Sequence, residues 1–108
     1  MTCSDLDQAL QAVTNNVYTP SAPPGVTEYI TWAVYSYNLI CGDDECVIRI
    51  PRVQIDAYTQ AADAADAGGF FDRVLTALDG LDLAYAVQAT GYDPDAASMR
   101  LIIQCDVA

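Results

Sequence analysis

The sequence predicts an α+β fold: a two-layer sandwich in which two helices cover one face of a four-stranded, mainly antiparallel sheet, in the order αββαββ. Three observations lead there. Two segments carry apolar residues at the i, i+3, i+4 spacing of an amphipathic helix. Four segments are β-branched and aromatic or alternate with a period of two. The strand-like segments come in pairs joined by short turn sequences, "CGDDEC" and "DPDA", as hairpins require. At 108 residues the chain is one domain, residues 1–108, and 53% hydrophobic against 18% charged residues excludes a disordered polymer.

The first helix is expected from about Asp5 to Thr14, opened by Ser4 and Asp7 as a capping box and striped by Leu6, Ala9, Leu10, Val13 and Val17. "NNVYTPSAPPGVTE" (15–28) then reads as a Pro-rich loop. "YITWAVYSYNL" (29–39) is the strongest strand signal. The return strand, 47–58, contains "RVQIDAYT", where Val53, Ile55 and Ala57 alternate with Arg52, Gln54, Asp56 and Tyr58. Ile48 and Ile50 have the opposite parity, so an irregularity is expected at Pro51, which lacks a ladder donor.

The second helix is expected over 59–80, with Thr59 as N-cap, Gly80 as terminator and Gly68–Gly69 in its middle. Its stripe is Ala67, Phe70, Phe71, Val74, Leu75 and Leu78. In the last strand Met99, Leu101, Ile103, Cys105 and Val107 share one face, and Arg100, Ile102, Gln104 and Asp106 the other. The sheet face away from the helices therefore carries Arg52, Gln54, Asp56, Arg100, Gln104 and Asp106, with Tyr35 or Tyr37 among them. Such a mixture of both charge signs with aromatics suits a wet interface.

Charge narrows the function classes. Fifteen acidic residues, thirteen of them Asp, face four Arg with no Lys and no His, for a net charge of −11. That balance repels a phosphate backbone. The absence of His removes the commonest general base and transition-metal ligand, and no nucleophile–base pair is apparent, so no enzyme and no cofactor is expected. No apolar run reaches the ~20 residues that span a bilayer. The acidic, amphipathic start lacks a signal-peptide pattern, so synthesis in the cytoplasm is expected.

The cysteines leave three readings. Cys3, Cys41, Cys46 and Cys105 would bind zinc only if both termini met the 41–46 loop, and no CxxC pair is present. A Cys41–Cys46 disulfide fits a hairpin mouth but is uncommon in a cytosol. Unpaired thiols, with Cys105 packed as a small apolar residue, are the expectation. "GDDE" (42–45) has too few spaced oxygens for a calcium loop and reads as a solvated hairpin tip.

The succession "PPGVTEYITWAVYS" (23–36), "RVQIDAYT" (52–59), "AADAADAGGFFDRVLTALDGL" (61–81) and "MRLIIQCDV" (99–107) resembles the tail terminator, or tail completion, proteins of long-tailed bacteriophages, over nearly the whole chain. The resemblance implies a non-catalytic virion protein that forms a homo-oligomeric ring, a hexamer, on the head-proximal end of the tail tube. It implies partners in the tail tube protein and a head-completion or connector protein, with DNA only as cargo passing an acidic bore. Assembly would take place in the host cytoplasm. It also implies that Arg52, Gln54, Asp56 and Tyr58 lie on a strand near subunit contacts, and that the 41–46 segment, with Gly42, Asp43, Asp44 and Glu45, forms a protruding hairpin; Tyr35, Tyr37 and Arg100 are further interface candidates from the mixed face itself. The alternatives are a phage head–tail connector or neck protein, and a small ligand-binding regulatory α+β domain.

Overall fold

Seven elements follow one another in the computed structural model, which describes residues 1–43 and 45–108, with all their side chains except those of Cys46 and Val47. They are α1 (Cys3–Gln11), β1 (Val17–Tyr18), β2 (Tyr29–Gly42), β3 (Glu45–Thr59), α2 (Phe70–Asp79), β4 (Tyr85–Asp93) and β5 (Ser98–Asp106). The class is α+β as expected, but the sheet is five-stranded and mixed, in the order β1-β2-β3-β5-β4. The additional strand corrects the expected αββαββ order. Val17 and Tyr18, read as helix stripe and loop, pair in parallel with Ile30 and Thr31 at the start of β2. Asn16 fixes this short strand: its carbonyl accepts from Ile30 N–H at 2.8 Å and its side-chain amide donates to Glu28 O at 3.1 Å.

The core is one cluster. Leu6 and Leu10 of α1 and Phe70, Phe71, Val74 and Leu78 of α2 are buried with Ile30, Val53, Ile55, Ala57, Leu101, Ile103, Cys105 and Val107. Both helices thus pack on the sheet face that the alternation of β3 and β5 marked as apolar, and Trp32 packs at its edge. The Trp32 Nε1–H donates to Asp7 on α1 at 2.7 Å, tying the sheet edge to the helix.

Two helix boundaries differ from expectation. In α1 the cap is Thr2 rather than Ser4: its hydroxyl accepts from Asp5 N–H and the Asp5 carboxylate accepts from Thr2 N–H. That reciprocal pair satisfies two otherwise orphaned donors and holds the Asp5 carboxyl below its ordinary pKa, chiefly through the Thr2 backbone hydrogen bond. In α2 the helix starts at Phe70, eleven residues after the expected Thr59 cap. Thr59 instead ends β3 opposite Met99, and its hydroxyl donates to Glu28 at 2.8 Å. Residues 60–69 are turns that tuck Ala64 into the core and leave Ala67 exposed. Gly68 adopts φ +78°, and a Cβ on Gly69 would sit 2.6 Å from the Ala64 carbonyl oxygen, so the glycine pair ends the turns instead of interrupting a helix. Gly80 is the C-cap, as expected.

Pro51 marks a change of architecture without interrupting β3. Pairing of β3 with β5 ends at Arg52 opposite Asp106, and the Pro51 carbonyl accepts from Val107 N–H at 2.9 Å. The expected irregularity lies on the partner strand: the β2–β3 register shifts between Val34 and Ser36, with Tyr35 as the extra residue. Beyond it, residues 36–42 pair with 45–52 as a two-stranded arm. The arm accounts for the elongated outline, 51 × 27 × 22 Å, and for a radius of gyration of 14.8 Å, above the ~13 Å of a spherical domain of this length.

Candidate functional site

Two surfaces stand apart from the core: the sheet face away from the helices, and the arm. On the face, alternation in two adjacent strands places Arg52 opposite Asp106, Gln54 opposite Gln104, Asp56 opposite Ile102 and Tyr58 opposite Arg100. Directly opposed side chains on one face interact most strongly, and here they do so in pairs. Arg52 Nε lies 3.4 Å from Asp106 Oδ1. Gln104 Nε2 donates to Gln54 Oε1 at 3.4 Å, and Gln54 Nε2 donates in turn to Asp56 at 3.3 Å.

Arg100 is the hub. Its Nη2 donates to Asp56 at 3.2 Å and its Nη1 to Asp93 at 3.3 Å, while the guanidinium lies 5.4 Å from the Tyr58 ring centroid. Burial opposes its charge, but Asp56, Tyr58 and Asp93 outweigh burial and raise the Arg100 pKa. Asp93 also accepts from Asp95 and Ala96 N–H, so one carboxylate shapes the β4–β5 turn and anchors Arg100. Tyr29 stacks on Tyr58 with centroids 4.7 Å apart. Burial first, then the carboxylates of Asp93 for Tyr29 and Asp56 for Tyr58, push both phenol pKa values up.

The structure therefore brings Arg52, Gln54, Asp56, Tyr58 and Arg100 together as expected, and it adds Tyr29 and Asp93. Their charges pair within the chain, Arg52 with Asp106 and Arg100 with Asp56 and Asp93. Tyr35, the bulge residue, stays beside this face with Arg52 5.7 Å from its ring centroid. Tyr37 does not join it. It sits opposite Pro51 in the arm, on the parity of Val53, and is 55% exposed.

The arm is the less expected surface. Among the described residues, Tyr37, Leu39, Ile40 and Ile48 are large apolar side chains exposed along it, with Val34 and Tyr35 exposed at its base. Ile40 and Ile48 sit opposite each other on a rung that no third strand covers. Together with Ile50, Pro51, Val107 and Met1 they border an open apolar groove of about 520 Å³ between the arm and the chain ends. The sequence signal was present in the opposite parity of Ile48 and Ile50. Ile48 is about half exposed and Ile50 partly buried, both bordering this groove.

At the arm's tip Gly42 pairs with Glu45 and Asp43 adopts φ +46°; both Gly42 and Asp43 are exposed, and Asp44 lies outside the described residues. Cys41 is disulfide-bonded, which corrects the expectation of unpaired thiols for that residue. Cys3 and Cys105 are free, and Cys105 is buried as expected. Burial, then Asp106 and Cys3, push the Cys105 thiol up to about 11. Among the described residues no three His, Cys, Asp or Glu side chains converge on a common metal position. Beside the polar face an open hollow of about 460 Å³ lies between the 20–26 loop and Tyr29, Thr31, Asp56 and Tyr58. No helix among the described residues is long and apolar enough to cross a membrane.

The sequence matches no protein-family model, no curated protein and no solved structure.

Proposed function

We propose that the chain is a structural ring protein that ends the tail tube of a long-tailed bacteriophage: copies of it close a hexameric ring on the tube's head-proximal end, stop tube growth and offer a surface to the head-completion or connector protein. It acts without catalysis or cofactor, in the virion, after assembly in the host cytoplasm. The observation that carries the reading is the arm. A chain of net charge −11 that leaves Tyr37, Leu39, Ile40 and Ile48 about half exposed on one projection has an apolar patch of the kind that marks an interaction surface. Covering the patch in a neighbouring copy accounts for it.

The polar face has a different role in this reading. Its ions are paired within one chain, so it stiffens β3 and β5 and orients the arm; it does not hold neighbours through unmatched charge. The strongly acidic surface suits a bore through which DNA passes without adhering. The test is to mix the purified protein with polymerising tail tube protein and measure tube lengths by electron microscopy. Tubes capped at one end and arrested in length support the reading. Tubes of unrestricted length with no density at either end would overturn it, and a connector or regulatory role would then lead.

A further inference from the structure

The sheet distributes charge in an unusual way. Soluble sheets ordinarily guard their edges with Lys, Pro or inward-pointing charge, because an uncovered edge is a row of unpaired backbone donors and acceptors. In the body the charges sit on the central strands, Arg52 and Asp56 on β3 and Arg100 and Asp106 on β5, while Glu45 and Arg49 lie on the arm, where β3 is itself an edge. β2 and β4 carry one between them, Asp93 at the last position of β4, where it is bonded to Arg100. β2 has no charged residue or proline from Tyr29 to Gly42, and β4 has none from Tyr85 to Tyr92.

Both edges are open over similar lengths. β1 covers only Ile30 and Thr31 of β2, so Trp32 to Gly42 has β3 as its one neighbour among the described residues. Among the described residues, the nine residues of β4 pair with β5 alone. The ladder along the β2 edge shifts register twice, at Tyr35 and between Ile40 and Cys41, and that along β4 once, at Gln88. Bulges increase twist and are the device by which sheets curve.

We infer that the sheet continues from copy to copy, the free β4 edge of one subunit adding to the free β2 edge of the next. The occupant is a second copy of this chain because the same molecule presents two long edges, uncharged from Trp32 to Gly42 and from Tyr85 to Tyr92, at opposite ends of one sheet. Pairing unlike patches is a heterologous contact, which closes a ring when the rotation per subunit permits. The inference rests on the self-assembly proposed above and assigns its interface.

The experiment blocks each edge separately with lysines, leaving the arm's apolar side chains in place. Ser36→Lys with Asn38→Lys guards β2; Val87→Lys with Ala89→Lys guards β4. Lysine lowers the magnitude of the net charge, so lost assembly cannot be ascribed to added repulsion between copies. By sedimentation the unaltered protein should assemble, each variant should be monomeric, and an equimolar mixture should give a dimer that grows no further, since only one matching pair of edges remains. A mixture that stays monomeric overturns the inference, as does either variant assembling alone or a monomeric unaltered protein at high concentration. Hydrogen exchange on the unaltered protein decides the matter should a variant misfold: amides within 32–42 and 85–93 gain protection with assembly, and unchanged exchange there overturns the pairing. If the variants assemble and still arrest tail tubes, the edge pairing falls while the proposed function stands.

Discussion

β2 and β3 form one continuous hairpin, yet its two halves live in different surroundings. In the body, residues 29–34 and 52–59 have helices on one face, paired ions on the other, and β5 beside β3. In the arm, residues 36–42 and 45–51 have each other. The strand character is the same, rich in Tyr, Ile and Val. The difference teaches that alternation specifies a strand and its two faces, whereas burial depends on what else reaches that part of the ladder. Ile55 in the body is fully buried, and Ile48, seven residues earlier on the same strand, is 48% exposed. An apolar residue left in that position by a folded monomer is available to a partner.

Removing a body anchor should give the largest effect. Phe71→Ala, at a side chain 3% exposed between α2 and the sheet, should cost about 3–5 kcal/mol, read as a lower denaturant midpoint with an unchanged slope. An unaltered midpoint would mean that α2 does not hold the body.

The ion pairs sharpen the contrast between buried and open parts of the same face. Arg100→Ala strands Asp56, whose side chain is only 15% exposed, and should cost about 2–3 kcal/mol. Arg52→Ala breaks a pair whose side chains are 46% and 43% exposed and should cost less than about 1 kcal/mol. Equal effects in chemical denaturation would deny that Arg100 is the hub.

A pH titration probes the body through Cys105. Its folded-state pKa is raised from 9.0 to about 11, so the folded form favours the neutral thiol. The associated stability is complete below pH 9 and is lost as pH rises toward 11, by about 2 kcal/mol. The tyrosines Tyr29, Tyr58 and Tyr85 are raised as well and act in the same direction. Thermal melts at pH 8 and pH 10.5 should therefore diverge, and Cys105→Ala should narrow the gap. A gap of the same size in that variant would remove Cys105 from the account.

Much of the body was legible in the sequence. The parity of Val53, Ile55 and Ala57 and of Leu101, Ile103 and Cys105 assigned the core face, and Phe70, Phe71, Val74 and Leu78 supplied its cover. What was illegible depended on partners distant in the chain. A two-residue strand such as Val17–Tyr18 has no period to detect, and it exists because Asn16 bonds Glu28 and Ile30. The helix expected at Thr59 failed because Ala-rich propensity competes with Glu28 for Thr59 and with the close approach at Gly69. Tyr29 and Asp93 joined the Arg100 cluster through strand pairing that no local window contains. Ile48 and Ile50 did carry a signal, since their apolar parity reverses in the stretch of β3 that, among the described residues, pairs with β2 alone.

The smallest effect on folding belongs to the arm, and it is also the most direct test of the central claim that the arm is an assembly surface. Tyr37→Asp with Leu39→Asp alters exposed positions and should change the stability of the monomer by no more than about 0.5 kcal/mol per site. Sedimentation velocity across a range of concentrations should then show the unaltered protein as a concentration-dependent oligomer and the variant as a folded monomer. An unaltered protein that remains monomeric at the highest concentration, or a variant that assembles as well as the original, would contradict the claim.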